Sequence, residues 1–264
     1  MAQTTKDRRA QIVAQLADQK HVTVKDLSGS IAVSQATVRR DLRALANLNQ
    51  VTLVYGGATL PRHMDASFQV RHLQNLEAKK IIGRLAADLV ADGTQLFMDS
   101  GTTCFEMAAH LRAKRGLSVL VNSARLAMEL QGPSMSVIML GGQYRPERMD
   151  TVGPITTSTL AQLRGYVAFI GADGLSMEFG TSAVDLESAH LYRQAIQNAR
   201  ATVLLVDRTK FQSAALFKIV DWQGIQRVVT DGPPDAAWAE FFAKSNIRVI
   251  CPPAAPGTPE SCGA

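Results

Sequence analysis

The chain has 264 residues, 46% hydrophobic and 19% charged, which suits one large core plus a small appended domain and excludes a disordered protein. Its net charge is +5, and residues 1–60 carry eight Lys and Arg against four Asp, so +4 of that charge lies at one end, where a polyanion would be met. No apolar run nears the roughly 18 residues of a membrane span, no apolar signal core opens the chain, and Cys104, Cys251 and Cys262 lack the spacing of a metal site or disulfide framework, so a cytoplasmic protein is expected.

Residues 6–60 read as three short helices followed by a hairpin. The stretch Val24 to Leu42 has the form of two helices about a tight turn, with Ser34 as N-cap of the second. On that helix Val38, Leu42 and Leu45 share one face, Ala36, Arg40 and Arg43 point the opposite way, and Thr37 and Arg39 flank them. An apolar back and an Arg-rich front suit the major groove, where Arg holds phosphates or reads guanine and Gln35 could reach a base edge. A protein-binding module with solvated arginines is the alternative. Val51 to Thr59 reads as strand, turn, strand, a wing. Leu60 to Asp65, with Pro61, breaks the pattern, and residues 61–74 are taken as a linker. A helix from about Ser67 to Val90, with Leu73, Leu76, Ile81, Leu85 and Leu89 at near-helical spacing and Lys79 and Lys80 on its polar side, leads into the second domain.

From Gln95 onward, apolar runs at Leu96–Met98, Val119–Val121, Val137–Leu140, Val167–Ile170, Val203–Val206, Val228–Val229 and Val249–Ile250 alternate with helical patterns. This predicts a mostly parallel α/β domain over residues 75–251. The Pro-rich residues 252–264 cannot build a core and are expected to be disordered. The small and polar residues that follow the strands, Asp99-Ser100-Gly101-Thr102-Thr103, Asn122, Gly141-Gly142, Asp173 and Lys210, fall along the carboxyl edge of such a sheet, where ligands bind. The Asp99–Thr103 loop opens a helix and so offers an anion cradle, though Ser-Gly-Thr is also an ordinary helix start. Lys210 beyond another strand end would add the cation of a phosphate site, with Asp173 and Glu187 left to accept from sugar hydroxyls. Taken alone, Glu187 reads as an exposed helix residue.

Val33-Ser34-Gln35-Ala36-Thr37-Val38-Arg39-Arg40-Asp41-Leu42 resembles the VSxxTIRRDL signature of DeoR-family regulators, and Tyr55-Gly56-Gly57-Ala58 resembles their HGGA wing. Tyr55 stands where the family often has His, and Ser28 replaces a common Ala. Asp99 to Thr103 (DSGTT), Val121-Asn122-Ser123 (TNS), Gly141-Gly142, Gly171 to Gly174 (GADG) and Asp207 to Phe211 (DxxKF) resemble the family's sensor domain. The resemblance spans about residues 6 to 231 and implies a sensor fold like that of ribose-5-phosphate isomerase, a phosphorylated sugar as ligand, and assembly into dimers or larger oligomers.

The expected protein is therefore a DNA-binding transcription regulator, a repressor of a carbohydrate operon, with no catalytic residue, cofactor or metal and no membrane contact. Its partners are double-stranded operator DNA, a phosphorylated sugar or related effector, and further copies of itself as a dimer or tetramer. DNA contact falls to Ser34, Gln35, Ala36, Thr37, Arg39, Arg40, Arg43, Tyr55, Gly56 and Gly57. Effector contact falls to Asp99, Ser100, Gly101, Thr102, Thr103, Asn122, Gly141, Gly142, Asp173, Glu187 and Lys210. A sugar-phosphate isomerase with a vestigial N-terminal module is the competing reading. The Arg-faced helix and the wing have no purpose there.

Overall fold

A computed structural model describes residues 4–19, 21–48, 50–59, 68–130, 132, 134–212 and 214–253. Residues 60–67 of the expected domain break and tail residues 254–264, Cys262 among them, lie outside these. The chain divides into two compact units, Met1–Leu76 and Glu77–Ala264.

The N-terminal unit has helices Thr5–Gln19, Val24–Ile31 and Gln35–Asn47, then the hairpin of Thr52–Val54 and Gly57–Thr59. A further strand, His21–Thr23, pairs antiparallel with Gly57–Thr59 and makes the wing a three-stranded sheet. Thr23 caps the second helix by accepting from the Asp26 N–H, and Ala32, in the left-handed region at φ 55°, ends it. The Ser28 hydroxyl donates to the Val33 carbonyl at 2.6 Å, so the residue that departs from the family pattern closes the turn between the two helices. Ile12, Leu16, Leu27, Val38, Leu42 and Leu45 form the core.

The single helix expected over Ser67–Val90 is two helices, Phe68–Leu73 and Leu76–Asp88. They part where Asn75 takes a left-handed φ of 51°, which Asn tolerates and a helix does not continue through. Phe68–Leu73 packs on Thr5–Gln19 and buries Val70, so residues 68–73 belong to the N-terminal unit instead of to a linker.

In the second unit, all seven expected strands form one parallel sheet. Its order is Arg248–Ile250, Arg227–Val229, Ala201–Leu205, Val167–Gly171, Gln95–Met98, Leu117–Val121, Met135–Met139. Alternate residues of the inner strands serve opposite faces. Phe97, Leu120, Ala168, Ile170 and Leu204 join one core with Leu191 and Tyr192 of helix Leu186–Asn198. Leu96, Met98, Val119, Val121, Phe169 and Leu205 join the other with Ile82 and Ala86 of Leu76–Asp88. Strands with both faces covered read as continuous apolar runs, which is why they were legible. Two antiparallel additions were not anticipated: a hairpin of Gln143–Arg145 with Asp150–Val152, and a small sheet of Gly174–Ser176, Gly180–Ala183 and Phe217–Val220. Cys104 is free and buried. No helix among the described residues is long and apolar enough to cross a membrane.

Candidate functional site

On the helix Gln35–Asn47, Ser34 is the N-cap and accepts from the Thr37 N–H at 3.2 Å. Gln35, Ala36, Arg39, Arg40 and Arg43 are exposed, and Thr37 is half-buried. Among the described residues neither Arg40 nor Arg43 has an acidic partner. Asp41 faces the other way. It is 0% exposed and accepts from Arg8 Nε at 2.6 Å and Arg9 Nε at 3.0 Å, both on the first helix. Burial disfavours its charge, but the two guanidiniums outweigh this and hold the carboxyl below the usual carboxylate range. Two of the basic residues counted at this end are therefore spent on tying the first helix to the third.

At the wing tip Tyr55 is fully exposed and Gly56 turns the chain at φ 76°. Gly57, grouped with them from sequence, is buried. A Cβ there would meet the Val22 carbonyl oxygen at 2.1 Å, so its role is to let the wing strand approach His21–Thr23.

In the second unit the strand order reverses between Gln95–Met98 and Val167–Gly171, and the Asp99 loop lies at that switch point. Asp99 is 1% exposed, and its carboxylate accepts from the N–H groups of Gly101 and Gly171, stitching the two strand ends together. Burial nevertheless pushes its carboxyl above the usual range. Lys210, half-buried on the 3₁₀ turn after the neighbouring strand Ala201–Leu205, has no acidic partner among the described residues. Thr102 is buried and Thr103 half-buried on the same edge.

The other expected effector residues are more dispersed. Asn122, 1% exposed, donates to the Thr151 carbonyl at 2.9 Å, while its own side-chain oxygen has no partner. The Gly141 carbonyl accepts from Thr156 Oγ1, and Gly142, at φ 153°, leaves room for that same hydroxyl, which a Cβ would meet at 1.9 Å. Asp173 accepts from the Val184 N–H at 2.9 Å and so holds a turn. Glu187 is exposed and lines a separate cavity of about 300 Å³ with Gly153, Thr157, His190 and Gln194.

A charged cluster beside the Asp99 loop escaped the sequence reading. Ser100 Oγ donates to Asp150 at 2.8 Å and lies 3.3 Å from the Tyr192 hydroxyl. Asp150, 0% exposed, is gripped by Arg145 through Nε and Nη2, each at 2.8 Å. Arg145 and Arg148 also reach Asp185, at 3.0 and 2.6 Å. Asp185 in turn caps the helix Leu186–Asn198. Burial works against the Asp185 charge, but Ser188, Arg148 and Arg145 hold its carboxyl down at about 2. Arg-x-x-Arg-x-Asp within a Pro-containing loop was the available signal; only the hairpin, unseen in sequence, brings these residues to the strand ends.

The description "DeoR C terminal sensor domain" matches residues 74–232, and "DeoR-like helix-turn-helix domain" matches residues 8–63. The HTH-type transcriptional repressor CsqR of Escherichia coli (strain K12) is 30% identical over 94% of this chain and 96% of its own length. The glycerol-3-phosphate regulon repressor of the same strain is 28% identical, over 90% of this chain and 95% of its own. HTH-type transcriptional repressor GlcR of Bacillus subtilis (strain 168) is 29% identical, over 92% and 95%. Among solved structures, a D-ribose-5-phosphate isomerase in complex with phospho-erythronic acid is similar at TM-score 0.39 and 15% identity, covering 52% of this chain and 54% of that one. The two family descriptions, with relatives matched over nearly their whole length, show that the chain belongs to the DeoR family and is a transcription regulator, not an enzyme.

Proposed function

We propose that this regulator represses an operon for use of a sugar or sugar derivative and is controlled by a phosphorylated metabolite bound at the strand-end crevice. The observation that carries the reading is the half-buried Lys210, left without an acidic partner on the sheet edge that also bears the Asp99–Thr103 loop. An unpaired cation on the same strand-end edge as hydroxyl and amide donors favours an anion. The DNA-reading residues are Ser34, Gln35, Arg39, Arg40 and Arg43, with Tyr55 and Gly56 at the wing tip. The effector residues are Ser100 to Thr103, Asn122 and Lys210. Assembly of two or four copies in the cytoplasm completes the proposal, supported by the apolar edge strand Met135–Met139, whose Ile138 and Met139 are each 43% exposed.

The test is a gel shift on the promoter region of the adjacent operon, with and without the phosphorylated sugars of its pathway. Bound DNA should be released by one phosphosugar and not by its neutral counterpart. Lys210→Ala should weaken effector binding by roughly ten-fold or more, through loss of a charge-assisted bond of ~1.5–3 kcal/mol, while DNA affinity without ligand stays nearly intact. If the neutral sugar binds as tightly as its phosphate in calorimetry, the anion site is wrong.

A further inference from the structure

The outward face of the helix Gln35–Asn47 is short of hydrogen-bond acceptors, and that limits which base edges it fits. Gln35 Oε1 accepts from Arg39 Nη2 at 3.3 Å, one helical turn on, with both side chains exposed. Ser34 Oγ and Thr37 Oγ1 lie 2.9 Å apart, and Ser34 Oγ also takes the Thr37 N–H, so these hydroxyls satisfy each other. The helix has a single carboxylate, Asp41, and it is 0% exposed beneath Arg8 and Arg9. What the face still presents outward is donors: the Gln35 amide NH2 and the guanidiniums of Arg39, Arg40 and Arg43.

In the major groove, adenine shows an N7 acceptor beside an N6 donor, cytosine shows the N4 donor, and guanine shows two acceptors, N7 and O6. A glutamine reads adenine only with its oxygen free to accept from N6. One lone pair of the Gln35 oxygen is engaged by Arg39, so the guanidinium competes with adenine N6 for it, and no carboxylate of this helix faces outward to accept from cytosine. We propose that the helix Gln35–Asn47 reads guanine, and that Arg39 is the specificity-determining residue that withdraws Gln35 from adenine. The inference rests on the DNA-reading face proposed above and deepens it.

Full-length protein selects from duplexes with a randomised half-site, wild type beside Arg39→Ala, an exposed position whose loss leaves the core intact. Wild type should enrich guanine, and 7-deazaguanine at the enriched position should weaken binding about ten-fold, the loss of the N7 half of a bidentate base contact. Arg39→Ala should move the preference of one position from guanine toward adenine, and adding Gln35→Ala should erase the new preference. An enriched site in which guanine is absent, a 7-deazaguanine substitution without effect, or an unchanged base profile in Arg39→Ala overturns the inference while DNA reading stands. The 7-deazaguanine measurement needs no variant. Failure of the wild type to enrich any sequence overturns the DNA-reading face itself.

Discussion

Asp41 and Asp150 are both 0% exposed and both held between two arginines, yet the two units use that arrangement for opposite ends. In the N-terminal unit, Arg8 and Arg9 on one helix draw Asp41 inward, which clears the single negative charge from the recognition helix. In the second unit, Arg145 and Arg148 of one hairpin hold Asp150 inward against Ser100 and at the same time reach out to the helix cap Asp185. The first pairing shapes a surface by removal. The second aligns three chain segments around a loop.

The comparison is easiest to break at Asp150. Asp150→Ala leaves two guanidiniums, 17% and 12% exposed, without their buried anion and with Asp185 alone to share. It should cost about 3–5 kcal/mol, read as a lowered denaturation midpoint. Both tryptophans, Trp222 and Trp238, lie in this unit's core, so their fluorescence reports it alone. Asp41→Ala should cost less, roughly 2–3 kcal/mol, because Arg9 is 32% exposed and can turn to water. That variant should lose DNA binding with the tryptophan transition unmoved; a shift of both transitions would mean the units do not behave separately. Arg40→Ala touches neither aspartate. It should weaken operator binding by ~1–3 kcal/mol with relaxed specificity if it reads a base, or lower the salt slope by about one if it holds phosphate. Unchanged binding at two salt concentrations would refute both.

The smallest effect is a pH dependence at Asp185. Its carboxyl lies near 2 in the folded protein, below the ~3.9 of an unfolded aspartate, so its contribution to stability is present above about pH 4 and fades as pH falls toward 2. Asp185→Asn can still accept the Ser188 N–H as an N-cap but loses the ion pairs. Near neutral pH it should be less stable than wild type by about 1–2 kcal/mol, the gap closing on acidification. A gap that persists to pH 2 would assign the loss to packing.

The helix-turn-helix and the inner parallel strands were legible because each rests on local periodicity: a 3.6-residue stripe with a Ser cap, and apolar runs buried on both faces. The break at Asn75 was not, since the apolar spacing runs on across it and only the backbone reverses hand. Arg8 and Arg9 read as part of a basic end, because their partner lies 33 and 32 residues away. Gly57 and Gly142 matched motif positions, but what each makes room for, the Val22 carbonyl and the Thr156 hydroxyl, is set by chain pairing over long separations. Arg145, Arg148 and Asp150 are marked locally only by their Arg-x-x-Arg-x-Asp run, and Asp185 and Tyr192 by nothing; the hairpin and the cap of Leu186–Asn198 assemble them. Glu187 lies two residues beyond Asp185, on the helix that Asp185 caps, and lines the cavity of Gly153 and His190 instead.

The bond from the Gly171 N–H to Asp99 joins residues 72 apart, at the centre of the sheet. During synthesis the chain emerges N-terminal end first at roughly 5–20 residues per second, and domains fold as units. The helix-turn-helix has all its parts by Leu76, whereas Gln95–Met98 cannot complete its pairing until Val167–Gly171 exists. For an interval on the order of ten seconds in each round of translation, the nascent protein holds a finished reader and no sensor. A ribosome stalled between those points would leave a fragment that carries the helix-turn-helix without the central sheet.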